Sequence, residues 1–175
     1  MARILLGITG SIAAYKAADI AHRFVKDGHE VDVVFTRHAT EFITPLTLRS
    51  LTGRPVYTDD FFSADDIRHI SLAREADVAV IAPATANIIG KLANGIADDY
   101  ASTIFTALVT PKRLIAPAMN TNMYANPIVA ANLAKLLAHG WREIEPQVGM
   151  LACGDVGKGA LASVDNIVAA VYAAL

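Results

Sequence analysis

The chain has little of what most sequence signatures are made from. Its 175 residues include one cysteine and one tryptophan, and only 18% of them are charged. A single cysteine permits no internal disulfide and no thiolate metal cage. The histidines, His22, His29, His38, His69 and His139, fall at no ligand spacing, so no metal is expected. Lys and Arg number 15 against 17 Asp and Glu, for a formal net charge of −2. With no basic run present, a nucleic-acid partner is not expected. Long apolar runs are also missing. "VAVIAPATANIIG" is too short to span a bilayer, and "MARILLGITG" lacks the ordered parts of a signal peptide. These absences predict a cytoplasmic protein with no membrane partner. Hydrophobic residues nevertheless make up 54% of the chain. That is apolar for a soluble monomer, so part of the surface is expected to meet other subunits. The length suits one domain over residues 1–175.

The apolar runs that are present are rich in Ile and Val: 3–9, 30–36, 78–83, 113–119 and 142–146. Helix-length segments lie between or after them at 12–26, 40–52, 87–94, 98–109, 125–139 and 164–174. Strands that read as continuous apolar runs, separated by helices, predict a mostly parallel sheet covered on both faces. The expected fold is a single-domain, Rossmann-like or flavodoxin-like three-layer α/β/α sandwich. Pro45, Pro111, Pro117, Pro127 and Pro146 fall at or near element ends, where a missing N–H costs little.

In such sheets a ligand sits beyond the carboxyl ends of the strands. The segments there are "TGS" (9–11), "TRHA" (36–39), "PATAN" (83–87) and "PAMNTNM" (117–123), all polar or small. Gly7, Gly10 and Ser11 can present backbone N–H groups and a hydroxyl to a phosphate at a helix start; a plain tight turn would use the same residues. The Gly-x-x-Gly-Ser spacing is neither the dinucleotide fingerprint nor a Walker loop. Thr36 could reach the same phosphate or simply end its strand. Ala84, Thr85 and Ala86 would let a flat heteroaromatic ring approach the backbone, with Thr85 and Asn87 as polar contacts, although Asn87 also suits a helix N-cap. The lone Cys153 lies in "GMLACGDVGKGAL" (149–161), where four glycines raise the entropy cost of ordering. A loop of that kind is expected to close on something.

"HISL" (69–72), "PATAN" (83–87), "PAMNTNMY" (117–124) and "ACGDVGKG" (152–159) occur in an order and spacing that resemble the FMN-dependent cysteine decarboxylases. The likeness is greatest to the phosphopantothenoylcysteine decarboxylases of coenzyme A biosynthesis and runs from "GITGSIAAYK" to "GDVGKG". It implies FMN as cofactor, with contacts at Gly10, Ser11, Ile12, Thr36, Pro83, Ala84, Thr85, Asn87 and Ser102. It implies His69, Asn120 and Cys153 as catalytic residues. Arg74, Met119, Asn120, Met123, Ala152 and Cys153 are the expected substrate contacts. The resemblance further implies a homo-oligomer, a trimer or an assembly of trimers into a dodecamer, with the active site at a subunit interface. A phosphopantothenate–cysteine ligase, fused or separate, is a further expected partner. The chain departs from the family pattern at Ala160 and Leu161, where Gly-Arg is frequent, at Tyr124 in place of Trp, and at Ile88 in place of Thr.

The chemistry such a site must solve is specific. Loss of CO2 from a cysteine amide would leave a carbanion with no electron sink. Oxidising the CH2–SH group to a thioaldehyde places a C=S group β to the carboxylate, which accepts the electrons as CO2 departs. The ene-thiolate is then reduced, and the cycle is redox-neutral. Imidazole at His69 could exchange a proton with the thiol or stabilise charge. Asn120 could bind the carboxylate without neutralising it, and Cys153 resembles the final proton donor. Rival readings are a lantibiotic-type peptidyl-cysteine decarboxylase, a flavin prenyltransferase, which would not need Cys153, and a non-enzymatic FMN-binding regulatory protein.

Overall fold

The computed structural model describes residues 1–61, 68–150 and 156–175. Its main sheet is parallel and contains β1 (Arg3–Ile8), β2 (Glu30–Phe35), β3 (Val56–Tyr57), β4 (Val78–Ala84), β5 (Arg113–Pro117) and β6 (Trp141–Glu143), in the order β3-β2-β1-β4-β5-β6. A separate antiparallel pair, β7 (Gln147–Met150) and β8 (Val156–Ala160), follows it. The helices are α1 (Lys16–Lys26), α2 (Pro45–Thr52), α3 (Arg68–Glu75), α4 (Ala86–Ala93), α5 (Tyr100–Thr106), α6 (Thr121–Tyr124), α7 (Pro127–Ala138) and α8 (Val164–Tyr172).

Alternation along each strand feeds two cores. Ile4, Leu6, Ile8, Val31, Val33, Phe35, Val78 and Val80 face α1, α2 and α8. Leu5, Val34, Ala79, Ile81 and Ile115 face α3, α4, α5 and α7. Burial on both faces explains why these strands read as unbroken apolar runs. α1 docks because Ala17, Ile20, Ala21 and Phe24 are its buried residues, spaced at helical period along one stripe. α8 closes the same face: Tyr172 packs its ring 5.8 Å from that of Phe24 and donates its hydroxyl to Asp27 at 2.6 Å. No helix among the described residues is long and apolar enough to cross a membrane.

Asp32 breaks the apolar pattern of β2, being 2% exposed. Arg3 reaches it at 3.0 Å and Arg54 at 2.9 Å. A buried carboxylate is tolerable only with such partners. Gly53 makes Arg54 available, since its φ of 66° ends α2 in the left-handed conformation and returns the chain toward the sheet.

The structure differs from the sequence reading in two places. β3 is only two residues long and follows Pro55, so it leaves no run to recognise. The glycine-rich stretch is not simply a loop, because its two ends pair as β7 and β8. Gly157 and Gly159 lie in β8, and both are needed there for close approach. A Cβ on Gly157 would strike the Thr121 side chain, and one on Gly159, whose φ is 149°, would strike the Met119 carbonyl oxygen. The Gly159 carbonyl also accepts a hydrogen bond from the Met119 amide at 3.0 Å. The departure at Leu161 has a packing reason, as this side chain is buried in the α1/α8 core.

Gly159→Ala should therefore lift the hairpin from the segment after β5. The expected cost is about 1–3 kcal/mol, read as a lowered Tm and faster proteolysis within the hairpin. A melting curve that superposes on wild type would contradict this packing.

Candidate active site

The sheet reverses its winding between β1 and β4, and the crevice beyond their carboxyl ends is the expected ligand position in this topology. Thr9, 2% exposed, spans that point. Its hydroxyl donates to the Pro83 carbonyl at 2.7 Å and accepts from the Thr85 amide at 3.0 Å. The chain then turns at Gly10, where a Cβ would lie 2.6 Å from the His38 Cβ. Only glycine lets the turns after β1 and β2 meet this closely.

Ser11 caps the 3-10 turn Ile12–Tyr15, its hydroxyl oxygen accepting from the Ala13 amide at 3.2 Å. The Ser11 amide bonds the Thr9 carbonyl and the Ala14 amide bonds the Ser11 carbonyl. The amides of Gly10 and Ile12 take no part in these bonds. Thr36 precedes the next 3-10 turn without a side-chain capping bond. Across the crevice, Thr85 caps α4 through the Ile88 amide at 3.4 Å. Asn87 lies one residue inside that helix and is not its cap.

A cleft of about 660 Å3 joins Gly10, Thr36, Thr85, Asn87 and Met123, a size suited to a cofactor or small ligand. Five residues expected from sequence thus share one cavity. Ala84 and Pro83 belong to its floor strand. Ser102 is placed differently: it is fully buried and forms a capping box with Asp99, so its hydroxyl is committed to the start of α5.

Asn120 caps the short α6, its side-chain oxygen accepting from the Asn122 amide at 2.8 Å. Met119 packs at the edge of the α4/α5 core, whereas Met123 is 47% exposed at the cleft. Tyr124 stands at the end of α6 and donates to Glu143 at 2.7 Å. Burial and that carboxylate hold its phenol well above the ordinary tyrosine range. His69, half-buried near the start of α3, sets its ring 6.4 Å from Tyr100 in an edge-on arrangement. Arg74 is exposed on the same helix, but five residues correspond to about 140° around the axis, so it does not share the face of His69. Ala152 and Cys153 lie outside the described residues.

The cleft also contains groups that sequence reasoning missed. Lys91 on α4 bonds Asp99 at 2.5 Å and Asp98 at 2.6 Å. Burial opposes the charge on both Lys91 and Asp99, yet hydrogen bonds outweigh it: those to Asp98 and Asp99 raise the Lys91 pKa, and those from Lys91 and Ser102 lower the Asp99 pKa. Asp59 accepts from the Tyr100 amide at 2.9 Å and lines the same cleft. Asp99 followed by Ser102 was a readable capping signal; the reach of Lys91 was not. Among the described residues no cluster of His, Cys, Asp or Glu could hold a metal ion.

The strand order, with its reversal between β1 and β4, defines a doubly wound α/β protein of Rossmann-like or flavodoxin-like fold. The Flavoprotein family model matches residues 1–175, and the chain belongs to that family. It is 48% identical over 169 residues to the "Probable phosphopantothenoylcysteine decarboxylase" of Streptococcus mutans serotype c, covering 95% of this chain and 94% of that protein. It is 47% identical over 167 residues to the coenzyme A biosynthesis bifunctional protein CoaBC of Bacillus subtilis, covering 94% of this chain but 41% of the relative. The chain thus spans under half the length of its bifunctional relatives. Among solved structures, a PPC decarboxylase mutant complexed with pantothenoylaminoethenethiol matches with a TM-score of 0.90 at 37% identity, covering 98% of this chain and 97% of that one. The FMN binding protein AtHal3 matches with a TM-score of 0.86 at 38% identity, covering 98% and 95%.

The Lys91–Asp99 pair predicts a pH dependence. With the folded Asp99 pKa lowered, its contribution is complete above the ordinary carboxylate value of about 3.9 and fades as pH falls through the folded value. With the folded Lys91 pKa raised, its contribution holds below about 10.4 and fades as pH rises through the folded value. Asp99→Asn keeps an N-cap acceptor and removes only the charge. It should lower Tm at neutral pH and flatten the loss of Tm below about pH 4. Parallel Tm curves for wild type and variant across the acid range would remove this pair from the account.

Proposed function

We propose that the chain decarboxylates 4′-phosphopantothenoyl-L-cysteine to 4′-phosphopantetheine with FMN as cofactor, in coenzyme A biosynthesis. The observation that carries the reading is the docking of β8 on the turn that holds Asn120. Gly159 bonds Met119, and Gly157 lies against Thr121. The hairpin whose arms flank the cysteine segment is thereby tied to the segment expected to bind the substrate carboxylate.

The residues fit FMN. Amides of Gly10 and Ile12 with the hydroxyls of Ser11 and Thr36 suit its phosphate, and the small residues from Pro83 to Ala86 suit a planar ring. Bound there, FMN supplies reversible two-electron redox chemistry at the substrate CH2–SH carbon. The protein's part is to orient and protonate. Asn120 would meet the carboxylate as a neutral hydrogen-bond donor, leaving CO2 free to depart with its electrons on sulfur. His69 is the residue assigned to the thiol proton, since an imidazole can both accept and donate one. Cys153 is assigned to the last step, protonation of the ene-thiolate carbon.

Homo-oligomerisation, as a trimer or a dodecamer of trimers, is part of the proposal. Ile12, Tyr15, Phe42 and Leu46 are exposed large apolar residues, an arrangement that suits an interface between copies. A phosphopantothenate–cysteine ligase, fused or separate, would make the substrate, because the cysteine must first be joined through its amine. Both activities would be cytoplasmic.

Purified protein should be yellow, with one non-covalent FMN per chain, and should release CO2 from the substrate. FMN-loaded protein that releases none would refute the enzyme reading. Cys153→Ser should bind FMN and release CO2 once. Under anaerobic conditions it should leave reduced flavin and a product two hydrogens lighter than the saturated thiol, because a serine hydroxyl is a far weaker acid than a thiol of pKa about 8.5. Saturated product formed at the wild-type rate would remove Cys153 from that step. His69→Asn should stop the reaction before CO2 is lost, and Asn120→Asp should raise KM through like-charge repulsion.

A further inference from the structure

Beside the flavin cleft lies a second cavity, of about 1100 Å3, between α2 and the residues around β3. Arg37 and Asp59 line both cavities, so the two adjoin. The second cavity holds more cationic side chains than the cleft does: Arg37, Arg49 and Arg54. Their states differ. Arg54 is spent on the sheet, bonding Asp32 at 2.9 Å and Glu30 at 3.3 Å. Arg37 and Arg49 are exposed and have no ion-pair partner among the described residues. The acids of the cavity are partly engaged elsewhere, Asp59 by the Tyr100 amide and Asp60 by the Thr58 hydroxyl at 3.4 Å.

Both arginines stand on fixed backbone. Thr40 donates to the Arg37 carbonyl at 2.7 Å and closes the 3-10 turn that carries it. The Gly53 amide bonds the Arg49 carbonyl at 2.9 Å where α2 ends. Two planar guanidinium groups that face one cavity and have no ion-pair partner among the described residues suit a multiply charged oxyanion. The substrate proposed above carries one. Its reacting thiol and carboxylate are at one end and its phosphate at the other, with an extended arm of about 15 Å between them, the length of four to five extended residues.

The geometry points to the cavity beside the cleft as the binding site for the substrate 4′-phosphate, with Arg37 and Arg49 as its partners and the arm passing the Arg37–Asp59 boundary. This assignment rests on reading the adjoining cleft as the decarboxylase site. It makes the phosphate a recognition element remote from the chemistry, so that binding energy at Arg49 positions the cysteine end in the cleft.

The test measures binding rather than turnover, by calorimetry on the FMN-loaded protein with 4′-phosphopantetheine and with pantetheine, both kept reduced. Wild type should bind the phosphorylated compound more tightly, and the advantage should shrink with added salt. Arg49→Ala and Arg37→Ala should each reduce the ratio of the two Kd values by about tenfold, the scale of a lost charge-assisted contact. Arg49→Lys should keep part of it. Equal affinities in wild type, or a ratio that survives both alanine substitutions, would overturn the assignment. Loss of FMN from Arg37→Ala with the Kd ratio of reconstituted protein unchanged would instead place that arginine on the cofactor phosphate, also overturning its role here. Failure of the decarboxylase reading is seen separately, as absence of CO2 from wild type.

Discussion

Parallel strands whose connections run to opposite sides leave a gap at their carboxyl ends, and a site built there works only if the gap has a fixed width. The Thr9 hydroxyl sets that width. By donating to Pro83 and accepting from Thr85, it joins the exit of β1 to the exit of β4 in a buried position where an unmade hydrogen bond would be costly. The turn at Gly10 and the strand end at Ala84 and Thr85 are then held at a constant separation. The remaining cleft walls build outward from this floor.

A second constraint fixes the roof, and it depends on atoms that are missing. At Gly157 and Gly159 the absence of Cβ lets β8 rest directly on Thr121 and Met119. The entropy that glycine-rich chain loses on ordering is offset by this contact and by the bond to the Met119 amide. Floor and roof come from sequence-distant segments, and each is held by a backbone interaction that few substitutions would preserve. The cysteine segment is flanked by the arms of the hairpin, so fixing β8 constrains where that segment can begin and end.

Much of the fold was legible because its signals are local. Runs such as "VAVIAP" are apolar on every residue because both sheet faces are covered, and Asp99 with Ser102 three residues later forms its cap within a single helix turn. That several polar strand ends would share one cleft was legible for a topological reason, since strand ends converge in any doubly wound sheet. What escaped was non-local or too short. β3 is two residues beside a proline. The β7/β8 pairing depends on register between arms that carry few β-formers, and "GKG" reads as flexible until its neighbours at Met119 and Thr121 are known. Lys91 stands eight residues before Asp99, and only the turn between α4 and α5 brings the two together.

Charge is distributed over these parts with some economy. Eighteen per cent of the residues are charged, and several of them neutralise one another where the fold needs it: Asp32 between Arg3 and Arg54, and Lys91 between Asp98 and Asp99. Arg54 is held by Asp32 and Glu30 and explains the sheet. Arg37 and Arg49 are exposed and have no ion-pair partner among the described residues. An arginine already bonded to a carboxylate must give up that contact to take another anion, whereas one that faces water gives up only hydration, so Arg37 and Arg49 are the more available of the three.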